Sequence, residues 1–169
     1  MERPVPLNPM AKFDFLHDLL VRVANHLRSP FLLLMRVVWG LELAQAGWGK
    51  LTNIQKPIDY FTQLGIPFPV ENAWLVGCTE TFGGIFLALG LLSRLACIPL
   101  TINFIVAYIT TEQDSLSDLT KLDTDKFIAA APFIFLLTAV MVLAFGPGAY
   151  SLDYLIARWR KREWKSAGI

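Results

Sequence analysis

Four long apolar runs divide the chain, and each approaches the length that a helix needs to cross a bilayer. A helix rising about 1.5 Å per residue requires about 20 mostly apolar residues to span the hydrocarbon core. The runs cover residues 31–50, 74–92, 95–109 and 127–145. Because only Ser93 and Arg94 separate the second run from the third, these two runs are predicted to form a tight helical hairpin. The pattern predicts an all-α fold, a four-helix transmembrane bundle with its membrane domain over residues 31–146.

Both ends of the chain are amphipathic rather than continuously apolar. In residues 1–30 the apolar side chains recur at three- and four-residue spacing, at Phe13, Leu16, Leu20, Val23 and Leu27. Asp14 and Asp18 interrupt this segment, so a cleaved signal peptide is not expected. Residues 147–169 form a basic tail, in which Ser151 is expected to cap a second amphipathic helix. We predict that both terminal segments are interfacial helices lying beside the bundle.

Three prolines mark predicted starts and interruptions of the helices. Pro30 is expected to open the first span, because proline is tolerated in the first turn of a helix. Pro99 and Pro132 fall inside the third and fourth runs, where proline breaks the backbone hydrogen-bond ladder. Such breaks are tolerated beside a cavity or a neighbouring helix, so they are compatible with an internal pocket.

The composition agrees with the bilayer as solvent. Hydrophobic residues make up 54% of the chain and charged residues 17%, whereas soluble domains carry about 25% charged residues. The formal net charge of +1 offers no concentrated basic face for nucleic acid. Cys78 and Cys97 form no CxxC pair and lie at different predicted depths, so we interpret both as packing residues.

The distribution of lysine and arginine predicts the orientation of the spans. Ten of these residues fall in the N-terminal segment, the hairpin between the second and third runs, and the C-terminal tail, whereas four fall in the loops on the other side. Basic loops remain in the cytoplasm. We therefore predict a multi-pass protein of a prokaryotic inner membrane with both termini cytoplasmic.

Three ionisable residues lie deep within predicted spans, where charge is costly. Arg36 and Glu42 are in the first span, and Glu80 is in the second. Measured from the cytoplasmic edge, Arg36 lies roughly 8 Å deep, Glu42 roughly 17 Å and Glu80 roughly 18 Å. Buried charges normally face a partner or a cavity, so these positions mark either helix-pairing contacts or a ligand or proton site.

Helical periodicity ranks these three residues. Glu80 shares one face of the second span with the small residues Gly77, Thr81, Gly84 and Ala88. Arg36 shares a comparable face of the first span with Gly40, Leu43, Gly47 and Lys50. Glu42 lies about 120° away from Arg36, nearer Gln45. Glu80 is therefore expected to point into the bundle and is the stronger functional candidate, while Asn103 in the third span is expected mainly to pack or to hydrogen-bond across helices.

The sequence shows no motif for a resident metal, haem or nucleotide. The two histidines, His17 and His26, lie in the N-terminal segment rather than on facing spans. There is no Walker loop, dinucleotide fingerprint or Ser/His/Asp set. With no independent catalytic motif, any redox centre is expected to come from a partner protein.

Four short motifs recur in an order and spacing that resembles a known family. They are Arg36-Val-Val-Trp-Gly40 followed by Gly47-Trp-Gly-Lys50-Leu51, then Leu64-Gly65-Ile66-Pro67, then Glu80 to Arg94 with its Gly83-Gly84 pair, and finally Gly146-Pro147-Gly148 with Asp153. Together, over residues 31–153, they resemble the DoxX family of small four-span membrane proteins. Glu42 and the N-terminal segment lie outside this pattern.

The resemblance implies a four-helix membrane bundle, broadly like quinone-using thiol oxidases but without their cysteines. Relatives in the family are linked to thiosulfate:quinone oxidoreduction and to terminal oxidase complexes, and some accompany soluble redox enzymes. The polar residues that match the family pattern by position are Arg36, Lys50, Glu80, Arg94 and Asp153.

We therefore predict a membrane subunit of a redox complex, with a quinone- or proton-linked site between the first two spans. In this hypothesis Glu80 exchanges a proton or accepts a hydrogen bond from a quinol, Arg36 offsets its charge, and Lys50 lies at the outer mouth. The further candidate ligand contacts are Glu42, Gln45, Asn103, Arg94 and Asp153. The expected partners are membrane lipids, other redox subunits or a soluble oxidoreductase, with self-association left open.

Two other functions are compatible with the sequence. A non-catalytic membrane anchor or assembly factor would dock a soluble redox enzyme through basic residues of the tail, such as Arg160, Lys161 and Arg162. A small-solute carrier would have to dimerise to supply enough helices, and no inverted repeat is visible. The substrate, the partner and the oligomeric state stay open, as does the choice between a functional site and structural pairing at Arg36 and Glu80.

Overall fold

The fold is all-helical, as the apolar pattern predicts. The computed structural model describes residues 9–120 and 124–166, and within these ranges it has helices and turns but no strand. The helices are α1 (Pro9–Thr52), α2 (Gln55–Gln63), α3 (Pro69–Leu89), α4 (Ser93–Thr111), α5 (Gln113–Thr120), α6 (Asp125–Ala129), α7 (Pro132–Phe145) and α8 (Leu152–Ser166). Of these, α4 and the stretch Phe13–Thr52 of α1 are long and apolar enough to cross a membrane, and α7 is a shorter apolar helix.

The first helix runs without interruption for 44 residues and passes through Pro30. The expectation that Pro30 opens a helix is therefore wrong. Because Pro30 has no amide hydrogen, the carbonyl of His26 lacks its usual donor in the helix. Both residues are exposed, so this carbonyl lies at the surface of the protein and is not buried without a partner. Side chains from 13 to 28 are exposed along this helix. Whether they lie on a membrane surface stays a prediction.

Four helices pack in a closed ring. α1 packs against α3, α3 against α4, α4 against α7, and α7 against α1. The core between them contains Leu43, Leu87, Cys97, Leu100, Phe104, Ala139 and Val142. Arg36, Gly40, Leu43 and Gly47 are buried on α1, which confirms the contact face predicted for that helix.

Small residues allow the backbones of α1 and α3 to touch. A Cβ atom placed on Gly84 would lie 2.6 Å from both the amide nitrogen of Ala44 and the carbonyl oxygen of Gly40. A Cβ atom on Gly47 would lie 2.5 Å from the amide nitrogen of Thr81. Glu80, which adjoins this contact, is 4% exposed, which confirms the prediction that it points into the bundle.

The fourth apolar run is two helices rather than one. α6 ends at Ala129, Ala130 is extended, and Pro132 begins α7. The interruption predicted at Pro132 is confirmed, because proline cannot donate the next hydrogen bond of a helix and α7 starts at this residue. The break leaves the carbonyl of Phe127 without its helical donor, and the hydroxyl of Tyr108 on α4 donates to it at 2.8 Å.

The C-terminal segment is tied to the α3–α4 turn. Leu92 adopts a left-handed backbone (φ 47°), which is unusual for a residue with a branched side chain. The carboxylate of Asp153 accepts hydrogen bonds from the amides of Leu92 (2.7 Å) and Ser93 (2.9 Å). The amide of Tyr154 donates to the hydroxyl of Ser151 at 3.1 Å, which confirms Ser151 as the cap of α8. The side chains of Lys161 and Arg162, in the predicted docking tail, lie outside the described residues.

Candidate functional site

A cavity of about 770 Å³ lies at the end of the bundle where α1 and α4 finish. Its walls come from α1, α3, α4 and α7, and α2 with the turn that follows it closes one side. Most of the lining side chains are apolar. This volume falls within the usual range of about 300–1,000 Å³ for pockets that bind small molecules. Among its walls, Phe104 of α4 and Phe135 of α7 stack with ring centroids 5.6 Å apart.

One polar cluster lies in this apolar cavity. The ammonium of Lys50 on α1 donates a short hydrogen bond to Oε2 of Glu80 on α3. Nδ2 of Asn103 on α4 donates to Oε1 of the same carboxylate at 3.3 Å. The side chain of Glu80 is 5% exposed and that of Lys50 is 36% exposed. Lys50 therefore links a buried carboxylate to the surface.

The local sequence explains why these groups meet. Gly47 and Gly77 keep α1 and α3 close together, and the side chain of Leu51 fills the space above Gly77. Lys50 lies in the last turn of α1, where the helix dipole favours a cation. Asn103 on α4 hydrogen-bonds across helices to Glu80 on α3, which is one of the two roles expected for it.

Arg36 does not contact Glu80, so the expectation that it offsets the charge of that carboxylate is wrong. Its two Nη atoms donate to the carbonyls of Pro147 (2.6 Å) and Tyr150 (2.8 Å), and the residue is fully buried. Because Arg36 precedes Lys50 by fourteen positions on α1, the two lie about 21 Å apart along the helix axis. Glu80 on α3 is level with Lys50, which leaves Arg36 at the opposite end.

Arg94 and Asp153, two of the predicted ligand contacts, also lie at the Arg36 end. A Cβ atom placed on Gly146 would be 3.4 Å from Nη2 of Arg94, and one placed on Gly90 would collide with Nη1 of Arg36. These residues therefore join the Gly146-Pro147-Gly148 turn to the α3–α4 turn. Arg36, Arg94 and Asp153 match the family pattern, and they form a structural clamp that lies outside the cavity.

Glu42 and Gln45 are exposed on the outer face of α1, and neither lines the cavity. Their predicted role as ligand contacts is therefore not supported by their position. The angle of about 120° between Arg36 and Glu42 around the helix predicts that Glu42 lies off the contact face, and its exposure agrees with that prediction.

Several lining residues are absent from the sequence-based site. Lys56, Pro57, Tyr60 and Phe61 of α2 all line the cavity. The signal for α2 in the sequence is a nine-residue amphipathic stretch between two longer apolar runs, which does not show where the helix packs. Ile66 and Pro67, recognised as part of a motif, also line the cavity.

Among residues that the structure describes, no group of three or more His, Cys, Asp or Glu side chains is arranged to hold a metal ion. Cys78 is half-buried and Cys97 buried, and both are free thiols. The polar groups described in the cavity, Lys50, Glu80 and Asn103, can form hydrogen bonds and exchange protons.

The described residues thus form an all-helical fold with two membrane-length helices and a largely apolar cavity around one ion pair, features typical of membrane proteins. A family model described as DoxX matches residues 31–113. A Mycobacterium tuberculosis (strain ATCC 25618 / H37Rv) protein named "Uncharacterized membrane protein Rv3486" is 30% identical over 135 residues, which cover 76% of this chain and 83% of the relative. The chain belongs to the DoxX family of membrane proteins.

A second relative is more distant. The Bacillus subtilis (strain 168) protein named "Putative oxidoreductase CatD" is 28% identical over 117 residues, which cover 61% of this chain and 86% of the relative. No solved structure gives a significant match to the chain.

Proposed function

We propose that this protein is the integral membrane subunit of a redox complex and that its cavity binds a quinone or quinol. The observation that carries the proposal is the Lys50–Glu80 pair inside an otherwise mostly apolar cavity. A quinone combines a flat apolar ring with carbonyl oxygens that accept hydrogen bonds. A quinol offers hydroxyl protons in the same positions.

The residues of the cavity match these groups one by one. The stacked rings of Phe104 and Phe135 supply an aromatic wall for the quinone ring. The ammonium of Lys50 supplies a donor for a quinone carbonyl. The carboxylate of Glu80 accepts a proton from a quinol hydroxyl. Because Lys50 is partly exposed, the proton has a short route to water at the mouth of the cavity.

A quinol releases two electrons together with its two protons, and the electrons need an acceptor. We propose that a partner subunit carries the electron acceptor or donor. The name of the Bacillus subtilis relative, an oxidoreductase by its printed description, supports a redox role.

We further propose that four segments cross the membrane: the second half of α1, α3, α4, and α6 with α7. The 21 residues of α3 reach about 31 Å as a helix. Unpaired backbone groups are costly in hydrocarbon, and the Tyr108 hydroxyl binds the carbonyl that the α6–α7 break exposes. Both termini would then lie on the side that carries most basic residues, which is the cytoplasm.

Two substitutions test the quinone site. Lys50→Met removes the carbonyl donor, and we expect it to weaken binding of 2-methyl-1,4-naphthoquinone about tenfold, which corresponds to about 1.4 kcal/mol. Binding is followed by quenching of tryptophan fluorescence of the purified protein in lipid nanodiscs. The double variant Lys50→Met/Glu80→Gln, which leaves no unpaired charge, should lose binding to a similar extent.

Glu80→Gln tests the proton role in native membranes. We expect quinone-dependent electron transfer to fall by about 100-fold, the usual effect of removing a general base. Glu71→Gln is the matched control, because Glu71 is an exposed glutamate on the same helix. Unchanged electron transfer in Glu80→Gln membranes would contradict the proposed mechanism, and unchanged quinone binding in both Lys50 variants would contradict the site.

A non-catalytic anchor is the second candidate function, and α8 is the observation that favours it. This helix exposes Leu155, Ile156 and Trp159 beside Arg160, a combination of apolar and basic groups that suits a docking surface. If the protein is an anchor, Arg158→Glu/Arg160→Glu should prevent co-purification of the partner from native membranes. Glu80→Gln should then have no effect on the activity of the complex.

A further inference from the structure

The charges that line the cavity do not balance. Its charged lining residues are Lys50, Lys56 and Glu80, two cations and one anion. Lys50 is held by Glu80, so that pair contributes no net charge. Lys56 is therefore the source of the excess positive charge.

Lys56 lies in the first turn of α2 and shares the cavity-facing side of that helix with Tyr60, four residues later. Within the described part of the chain, the Lys56 ammonium has neither an ion-pair nor a hydrogen-bond partner. The nearest acid in sequence, Asp59, accepts a hydrogen bond from Gln55 at 2.7 Å and does not line the cavity. An exposed cation at the mouth of an apolar cavity is suited to a ligand that brings its own negative charge.

We propose that the cavity selects acidic quinones, whose ring carries an ionised hydroxyl oxygen that binds Lys56. This inference rests on the proposed quinone site and names the class of quinone that the site prefers. A neutral quinone gains no ionic attraction from Lys56, whereas an anionic one gains an attraction that the apolar walls strengthen by lowering the local dielectric constant.

Two related quinones separate charge from shape. The oxygen of 2-hydroxy-1,4-naphthoquinone is ionised at neutral pH, whereas 2-methyl-1,4-naphthoquinone is neutral. After correction for partition into protein-free nanodiscs, we expect the wild-type protein to bind the ionised quinone about three- to fivefold more tightly, the upper range for one exposed ion pair. Fluorescence quenching of the purified protein gives both dissociation constants.

Variants of Lys56 assign the preference to this residue. Lys56→Gln should remove the preference while leaving the affinity for the neutral quinone within about twofold, which also shows that the variant is folded. Lys56→Arg should keep the preference, because it keeps the charge. Asp59→Asn, on α2 but outside the cavity lining, should keep it as well.

The outcomes distinguish this inference from the proposed function. Equal affinity for the two quinones in the wild type, or a preference that survives Lys56→Gln, would overturn the inference and leave the quinone site standing. Absence of saturable binding for both quinones would overturn the proposed site and the inference with it. Displacement of the ionised quinone by decanoate at matched affinity, with the same dependence on Lys56, would overturn the assignment to quinones in favour of anionic amphiphiles in general.

Discussion

A buried carboxylate is stable only where another group compensates the loss of water. Glu80 achieves this with Lys50 on one side and Asn103 on the other. Its burial on a face of small residues is visible in the sequence, because helical spacing and a run of glycines identify that face. The identity of its cation is not visible, because sequence spacing does not show which residue of α1 lies level with position 80.

Removing Lys50 alone should leave the Glu80 charge without its cation. Breaking a buried pair costs about 3–5 kcal/mol, and the partial exposure of Lys50 reduces this cost to about 2 kcal/mol. We expect Lys50→Met to lower the midpoint of thermal unfolding of the detergent-solubilised protein, as measured by circular dichroism. The double variant Lys50→Met/Glu80→Gln should recover most of that loss, and a double variant no more stable than Lys50→Met would contradict the pairing.

At the scale of helices, the sequence predicts the packing faces of the long helices, but neither the continuity of α1 through Pro30 nor the short helix α2. The packing faces of α1 and α3 follow from periodicity and are confirmed by burial. The interruption at Pro132 follows from local sequence, whereas the packing of the short helix α2 and the Tyr108 bond to Phe127 depend on tertiary contacts, which local sequence does not specify. The outer wall of the cavity, including Lys56, was therefore not predictable from periodicity alone.

The contact between α1 and α3 has no room for a methyl group at Gly84. Gly84→Ala should destabilise the protein by about 2 kcal/mol, since overpacking a tight contact typically costs about 1–3 kcal/mol. Gly49→Ala is the matched control, because a Cβ atom there meets nothing within 4 Å. We expect Gly49→Ala to be neutral or stabilising by up to about 1 kcal/mol, through its better helix propensity. Equal thermal midpoints for the two variants would contradict the close backbone contact.

The two ends of the whole molecule differ in structure. The Lys50 end contains the cavity, and the Arg36 end contains the clamp that holds the C-terminal segment. The motif residues divide between these ends, which explains why a single site could not be assembled correctly from the sequence. Arg36 and Glu80 are both buried, but Arg36 lies in the clamp and Glu80 lies at the cavity end of the bundle.

Loss of the clamp should loosen the tail without affecting the cavity. Asp153→Ala removes two hydrogen bonds to the start of α4 and should cost about 1–2 kcal/mol, as expected for loss of a helix cap. Trypsin should then cleave at Arg158 and Arg160 faster than in the wild type, while the affinity for 2-methyl-1,4-naphthoquinone stays unchanged. Asp14→Ala, at an exposed site on α1, is the control, and a weakened quinone affinity in Asp153→Ala would contradict the separation of the two ends.

Reporter fusions test the orientation of the bundle. Green fluorescent protein fused after Ile169 should fluoresce, because we expect the C-terminus in the cytoplasm, where this reporter folds. Alkaline phosphatase inserted after Gln63, at the end of α2, should be active, since that loop is expected outside. The reverse pattern would contradict the proposed orientation.

If the cavity binds a quinone as proposed, the distance between the two ends restricts where an electron-transfer partner can dock. Electron tunnelling weakens exponentially with separation, and the Arg36 level lies about 21 Å from the Lys50 level along α1. A redox centre docked against α8 would be separated from a quinone in the cavity by most of the thickness of the bundle. A partner that exchanges electrons with that quinone must therefore bring its redox centre to the end of the molecule that carries α2, and a protein captured by the tail alone would be held beyond direct electron transfer.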